Sequence, residues 1–453
     1  MTMEISNKAL LTDLYQLTML QSYMERGMED TAIFEFFIRR TSSNRGFFLF
    51  AGLAPLMDYL SDLHFEPWEL EWLGKSGRFS SSFVEYLGKL KFTGDVHAMP
   101  EGTVGFANEP LVRVSAPLPQ AQLIETRLIN LLHYQTLVAS KAARTVLAAS
   151  GKPVLDFGCR RAHGAEAAVL AARASYLAGC TSIATVLAGA MYDIPLVGTM
   201  AHSFILSHEE ESVAFENFSV SHPQHVVLLI DTYDTEKGAQ NVVGLASKLK
   251  EKGITIQGVR LDSGDLAMHA TKVRQILDEG GLTSVDITVS GNLDEYEIQQ
   301  LVAQQAPINA FAVGTKMTTS ADVPYLDCVY KLQEYAGRPC RKRSEGKATW
   351  PGPKQVYRYY DHEGRITKDI LTLEQDHQGG KALLEPVMRK GKRMFPGLPL
   401  QKIRSYVFDQ IATLPPMIQD LQPNTTIEVE ISSAIKKLAG RLDENSKSGE
   451  EII

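Results

Sequence analysis

The 453-residue chain is short of several things, and each shortage closes off a class of function. Its four cysteines (Cys159, Cys180, Cys328, Cys340) form no C-x-x-C pair and have no histidine at zinc-ligand spacing. That argues against a disulfide framework or zinc module and fits a reducing, cytoplasmic compartment. Positive charge is not in excess either. With 46 basic and 53 acidic residues the net charge is −7, which does not favour broad nucleic-acid binding. The amino-terminal stretch MTMEISNKALLTDLYQLTML lacks a basic segment leading into an apolar one, so no signal peptide is expected. One uncharged stretch, Ala174 to Tyr192, is diluted by Gly, Ser and Thr and reads as protein interior, so no membrane contact is expected. Missing too are G-x-G-x-x-G after a first strand, G-x-x-x-x-G-K-[ST], H-E-x-x-H and G-x-S-x-G. There is no internal repeat and no low-complexity tract.

What is present is ordinary globular material, 44% apolar and 22% charged, long enough for two or three domains. The middle of the chain has a rhythm. Apolar runs PVLDFG (153–158), IPLVGT (194–199), HVVLLID (225–231), ITIQGVRLDSGD (254–265), VDITVSGN (285–292) and INAFAVGTKM (308–317) alternate with helical patterns. In residues 235–253, Val242, Val243, Leu245, Ala246 and Leu249 share one helical face and Gly253 ends it. Strands alternating with helices of this length imply a parallel sheet, and six runs suggest an α/β barrel, complete or incomplete, more than an open sheet. The flanks mix helices with β-rich pieces. The expected division is 1–130, 131–325 and 326–453, the last fifteen residues being polar and read as frayed.

In parallel units the residues after each strand share one rim, where a barrel keeps its chemistry. Here they are Phe157, Gly158 and Arg160; Gly198, Thr199 and His202; Asp231; Arg260, Asp262, Ser263, Gly264 and Asp265; Ser290, Gly291 and Asn292; Gly314, Thr315 and Lys316. Two arginines and a lysine suit anions, and the glycine-rich ends let backbone N–H groups reach phosphate oxygens. Asp262 and Asp265 suit ribose hydroxyls or magnesium. Taken singly, His202 reads as a core histidine, each glycine as a turn, Arg160 or Arg260 as half an ion pair and Cys159 as a small core filler. Jointly the set points to a phosphorylated sugar. Lys316 leaves a Schiff-base aldolase as a rival.

The motifs LLTDLYQLTML, FEFFIRR, DFGCRRAHG, GTMAHSF, GVRLDSGDL, VSGN, AVGTKM and GKATWPGPKQVYR, in that order, resemble those of nicotinate phosphoribosyltransferases from about residue 7 to 360. The resemblance implies ATP-assisted condensation of nicotinate with 5-phosphoribosyl 1-diphosphate in NAD salvage, with Mg2+, by a homodimer with shared sites. It also implies an irregular, incomplete TIM-like α/β barrel beside an α/β sandwich built from both chain ends. By motif, His202 matches a histidine phosphorylated by ATP, Arg160 an arginine needed for catalysis, and Phe157 and Tyr15 the aromatics that sandwich the pyridine ring. Arg260 and Thr199 match the carboxylate end, Gly314 and Thr315 the 5-phosphate site, and Gly291 and Asn292 the ribose region. Asp262 joins the expected catalytic group and Ser263 the substrate-binding one.

The nicotinamide-using relatives place an aspartate in the segment that aligns with GCTSI (179–183), which has no carboxylate, so the resemblance implies the acid rather than nicotinamide as substrate. A quinolinate enzyme would need more basic residues and has no use for His202. A non-catalytic phosphate-sugar binder has no reason to keep His202, Arg160 and Arg260 together. The basic run RPCRKRSEGK (338–347) reads as a solvated loop near the phosphate site rather than a nucleic-acid patch.

Overall fold

A computed structural model describes residues 8–448 apart from 43 and 424. The chain forms two compact units, one made of the residues up to Ser140 together with those from Tyr325, the other of Lys141–Pro324.

In the first unit both chain ends share one sheet. Strand Thr31–Ile38 pairs antiparallel with Cys328–Tyr335 on one side and with Pro110–Pro117 on the other. Four further strands, Arg338–Pro339, Asp95–Ala98, Glu385–Arg389 and Lys392–Arg393, complete a seven-stranded sheet. Thr31–Ile38 is buried along almost its whole length, so it reads as a continuous apolar run with Glu35 inside it. That carboxylate is matched: Lys354 Nζ lies 2.8 Å from Glu35 Oε2. A second sheet contains Lys354–Tyr360 and Ile366–Leu373, joined by the wholly buried pair Arg358 and Asp369. Glu109, also buried, lies beside that pair; burial and the Asp369 charge push its carboxyl well above the ordinary glutamate range.

The basic run is not a free loop. Arg341 and Arg343 both pair with Asp443, at 2.9 and 3.1 Å. Asp443 belongs to a helix, Ser433–Ser448, that buries Ile435, Ala439 and Leu442. The expected frayed end is therefore helical as far as Ser448, because three apolar residues at helical spacing are covered; residues 449–453 lie outside the described ones.

The second unit holds six parallel strands: β1 (Val154–Asp156), β2 (Ser182–Ile183), β3 (Val227–Leu229), β4 (Gly258–Leu261), β5 (Asp286–Val289) and β6 (Ala310–Val313). Their order is β2-β1-β6-β5-β4-β3, an incomplete barrel sheet with helices in the connections. These helices are α1 (Ala165–Leu177), α2 (Val186–Tyr192), α3 (His202–Leu206), α4 (Glu211–Ser221), α5 (Thr235–Glu251), α6 (Leu266–Glu279), α7 (Glu295–Ala303) and α8 (Thr315–Thr318). The reason α5 forms is plain. Asp234 caps it by accepting from the Lys237 N–H at 2.7 Å, and Val242, Leu245 and Leu249 form its buried face.

One expected strand is absent. IPLVGT makes only a single parallel bridge, Leu196 to Ile183, and the short Ser182–Ile183 is the edge strand instead. Pro195 interrupts the run and removes a ladder donor. The uncharged stretch begins in the buried end of α1 (174–177) and runs through β2 into α2, where Val186, Leu187 and Met191 are exposed, so only its first part is protein interior. Among the described residues no helix is long and apolar enough to cross a membrane.

Candidate active site

Parallel pairing brings Phe157, Ala184, Asp231, Asp262, Ser290 and Gly314 to one rim, each just beyond its strand. His202 starts α3 there. Its Nδ1 lies 3.2 Å from Thr232 Oγ1, and its Nε2 lies 3.8 Å from Asp262 Oδ2, too far for a hydrogen bond. The ring is 39% exposed, so this is no core histidine.

Asp262 is held from two sides. Its backbone N–H donates to Asp231 Oδ2 at 2.7 Å, and its Oδ1 accepts from Ser290 Oγ. Ser263 Oγ also donates to Asp231 Oδ2, at 2.7 Å. Beside it Gly291 has φ +96°, and a Cβ there would lie 2.0 Å from the Asp262 carbonyl oxygen. Only glycine allows that approach. Asn292 is left-handed as well, at φ +54°. Gly314 is needed for room rather than for its dihedral: a Cβ would meet the Phe157 carbonyl oxygen at 3.0 Å.

Next to these groups lies a cavity of about 560 Å3, lined among others by Phe157, Ala184, Gly198, Thr199 and Arg260. Arg260 Nη1 donates to Thr199 Oγ1 at 2.6 Å, and the guanidinium carbon stands 5.8 Å from the centre of the Phe157 ring. Its Nε is buried and has no hydrogen-bond partner. Burial lowers the Arg260 pKa, opposed by the Asp262 and Asp231 carboxylates. It stays cationic, since a guanidinium does not deprotonate in proteins. An aromatic face, a cation with an unmet donor and a hydroxyl, all on one cavity, suit a small planar carboxylate.

The sequence model of the nicotinate phosphoribosyltransferase (NAPRTase) family matches residues 153–345, and that of its N-terminal domain matches residues 10–133. The nicotinate phosphoribosyltransferase pncB2 of Mycobacterium tuberculosis is 44% identical over 415 residues, covering 91% of this chain and 89% of that protein. The chain belongs to the nicotinate phosphoribosyltransferase family. The Bacillus subtilis nicotinate phosphoribosyltransferase is 37% identical over 90% of this chain and 89% of its own length. Among solved structures, human nicotinic acid phosphoribosyltransferase superposes with a TM-score of 0.85 at 28% identity, covering 96% of this chain and all of that one.

Within this family member the structure gathers His202, Asp262, Ser263, Gly291, Thr199, Arg260 and Phe157 through the contacts above. Arg160 lies exposed on a single 3-10 turn, Cys159–Arg161, close enough that its charge helps to lower the Arg260 pKa. Gly314 caps α8, whose first residue is the exposed Thr315. Tyr15 belongs to the first unit, on helix Leu14–Glu25, and is 49% exposed.

Two expectations change. Lys316 is bound at 3.0 Å to Asp294 and 2.9 Å to Glu297, the capping residues of α7, so it is a fastener and no Schiff-base amine. Both carboxylates raise its pKa against the opposing effect of burial, and a protonated amine is no nucleophile. Cys159 is exposed, not a core filler, because its turn stands on the rim. Sequence reasoning had noted Asp231 as a strand end without giving it work, and it passed over Thr232, Ala184 and Asp156. The signal for Asp231 was its place after LLI, matching that of Asp262 after VRL.

Proposed function

We propose that this chain condenses nicotinate with 5-phosphoribosyl 1-diphosphate to nicotinate mononucleotide and diphosphate, in NAD biosynthesis by salvage, with ATP as co-substrate. The observation that carries the substrate choice is the Arg260–Thr199–Phe157 cluster on the cavity. Phe157 offers a face for the pyridine ring and Arg260 a buried donor for its carboxylate. Gly314, Thr315, Gly291 and Asn292 supply the glycine-rich strand ends that suit the 5-phosphate and ribose.

The chemistry asks little of a general base, since the pyridine nitrogen carries its own lone pair. As diphosphate leaves C1, positive charge grows on the ribose ring, and the chain contributes positioning and electrostatic stabilisation. Arg160 is assigned to the departing diphosphate. Mg2+ fits the rim: Asp231 Oδ1 is buried without a hydrogen-bond partner, and Asp262 lies next to it. One or two carboxylates plus phosphate oxygens form a usual magnesium set, and the bound ion would neutralise charge on the diphosphate. His202 is assigned as the phosphoryl acceptor from ATP. Thr232 holds Nδ1, which leaves Nε2 as the nucleophilic nitrogen. A homodimer with shared sites is supported by the exposed apolar residues Val186, Leu187 and Met191 on α2 and Leu206 on α3.

The test is incubation with 5-phosphoribosyl 1-diphosphate and either nicotinate or nicotinamide, with and without ATP. Nicotinate mononucleotide should form, faster with ATP, and equal use of both bases would overturn the substrate assignment.

A further inference from the structure

Asp156 ends β1 beneath the rim and is 2% exposed. Both of its carboxylate oxygens are used. Oδ1 accepts from the Gly158 N–H at 2.7 Å, and Oδ2 accepts from Ser175 Oγ on α1 at 2.6 Å. Its backbone carbonyl accepts from the N–H of Ala184, a cavity residue, at 2.8 Å. Directly above are Phe157, whose N–H donates to the Val313 carbonyl at 2.8 Å, and the turn that carries Arg160.

Gly158 leaves this turn no slack. A Cβ there would lie 2.7 Å from Thr318 Cβ and 3.0 Å from Asp156 Oδ1. The turn is thus pressed between α8 on one side and the Asp156 carboxylate on the other. The Arg161 N–H then closes it onto the Gly158 carbonyl at 2.9 Å. A buried acid would be expensive here if it served only packing, since an apolar residue would fill the same space without desolvation.

We propose that Asp156 is a positioning residue for the transfer reaction: its carboxylate, anchored by Ser175, fixes the Phe157–Arg160 turn so that the ring platform and the arginine are set together. The proposal rests on the assignment of Phe157 to the pyridine ring and of Arg160 to catalysis.

The experiment is a double-mutant cycle on the full-length protein, with steady-state kinetics for nicotinate and a thermal melt for each variant. Asp156→Ala should raise the nicotinate KM and lower kcat, reducing kcat/KM about 10- to 100-fold, the loss expected when a buried acceptor is removed. Asp156→Asn should recover activity to within about threefold of wild type, because the amide oxygen still accepts from Gly158 and its NH2 donates to Ser175 Oγ. The Ser175 hydroxyl then keeps the Ala172 carbonyl, at 3.1 Å, as its acceptor. In an Arg160→Ala background, Asp156→Ala should cost less than about threefold more, since coupled residues are non-additive.

The same fold-loss in the wild-type and Arg160→Ala backgrounds would overturn the proposal, as would an Asn variant as slow as Ala with an unchanged melt. If Asp156→Ala does not fold, Ser175→Ala enters the same cycle with the same expected non-additivity. Wild-type protein that makes no nicotinate mononucleotide would sink the functional reading instead, and that shows before any variant is assayed.

Discussion

His202 is the residue whose surroundings decide most. It starts a short helix on the rim and is part-exposed, with one nitrogen beside Thr232 and the other facing Asp262 without a bond. A nitrogen with no competing donor is available as a nucleophile. In His202→Ala, ATP hydrolysis should stop while slower, ATP-independent product formation survives. Acid-labile, base-stable label from γ-labelled ATP should appear on wild type alone; equal labelling of both would return His202 to a structural role. Ala184 tests the other end of the site. It lines the same cavity as Arg260, and an added carboxylate there would compete for the guanidinium. Ala184→Asp should therefore weaken nicotinate use by roughly 1.5–3 kcal/mol, about ten- to over a hundredfold in kcat/KM, with little loss for nicotinamide. Parallel kinetics with the two bases decide it.

At the scale of elements, loops after strands carry the strain and buried charges carry the pH dependence. Gly291→Ala would drive a Cβ into the Asp262 carbonyl oxygen at 2.0 Å and must move one loop or the other. A loss of about 1–3 kcal/mol in stability is expected, with activity falling more than stability because Asp262 shifts. A melt that stays put with full activity would contradict it. Glu109 gives a sign. Its folded-state pKa lies above the unfolded one because burial and Asp369 disfavour its charge. The folded state then binds more protons, so stability is full below the ordinary glutamate range and declines as pH rises through it toward the raised value. Glu109→Gln should flatten that decline and raise the melting temperature at neutral pH; parallel pH–melt curves would refute this. Much of the element pattern could be read from sequence, because five of the six apolar runs are strands and the rim residues follow from parallel pairing. What could not be read depended on distance in space. Two residues, Ser182 and Ile183, form an edge strand too short for any periodicity, while the longer IPLVGT with its proline does not. Lys316 looked reactive until Asp294 and Glu297, about twenty positions earlier, were found on it. The terminal helix was hidden because only three of its residues are apolar and covered.

For the whole molecule, the assigned residues fall in two units: Tyr15 in one, Arg160, His202 and Arg260 in the other. If sites are shared between copies, mixing Tyr15→Ala with Arg160→Ala subunits should restore activity well above that of either variant alone. Absence of recovery in exchanged mixtures would count against a shared site. The division of the chain has a further consequence, for synthesis. Strand Thr31–Ile38 needs Cys328–Tyr335 beside it, so the sheet that starts first on the ribosome is completed only after the entire barrel unit has been made. The barrel residues are contiguous and can close on themselves, whereas the early strand waits with an open edge and an unmatched Glu35, whose partner Lys354 emerges later still. The vulnerable species in the life of this enzyme is therefore the half-translated chain. Ribosome-stalled chains long enough for residue 325 to have left the exit tunnel should show a protease-resistant barrel and a digestible amino-terminal third, and the window for misassembly closes only when Lys354 arrives.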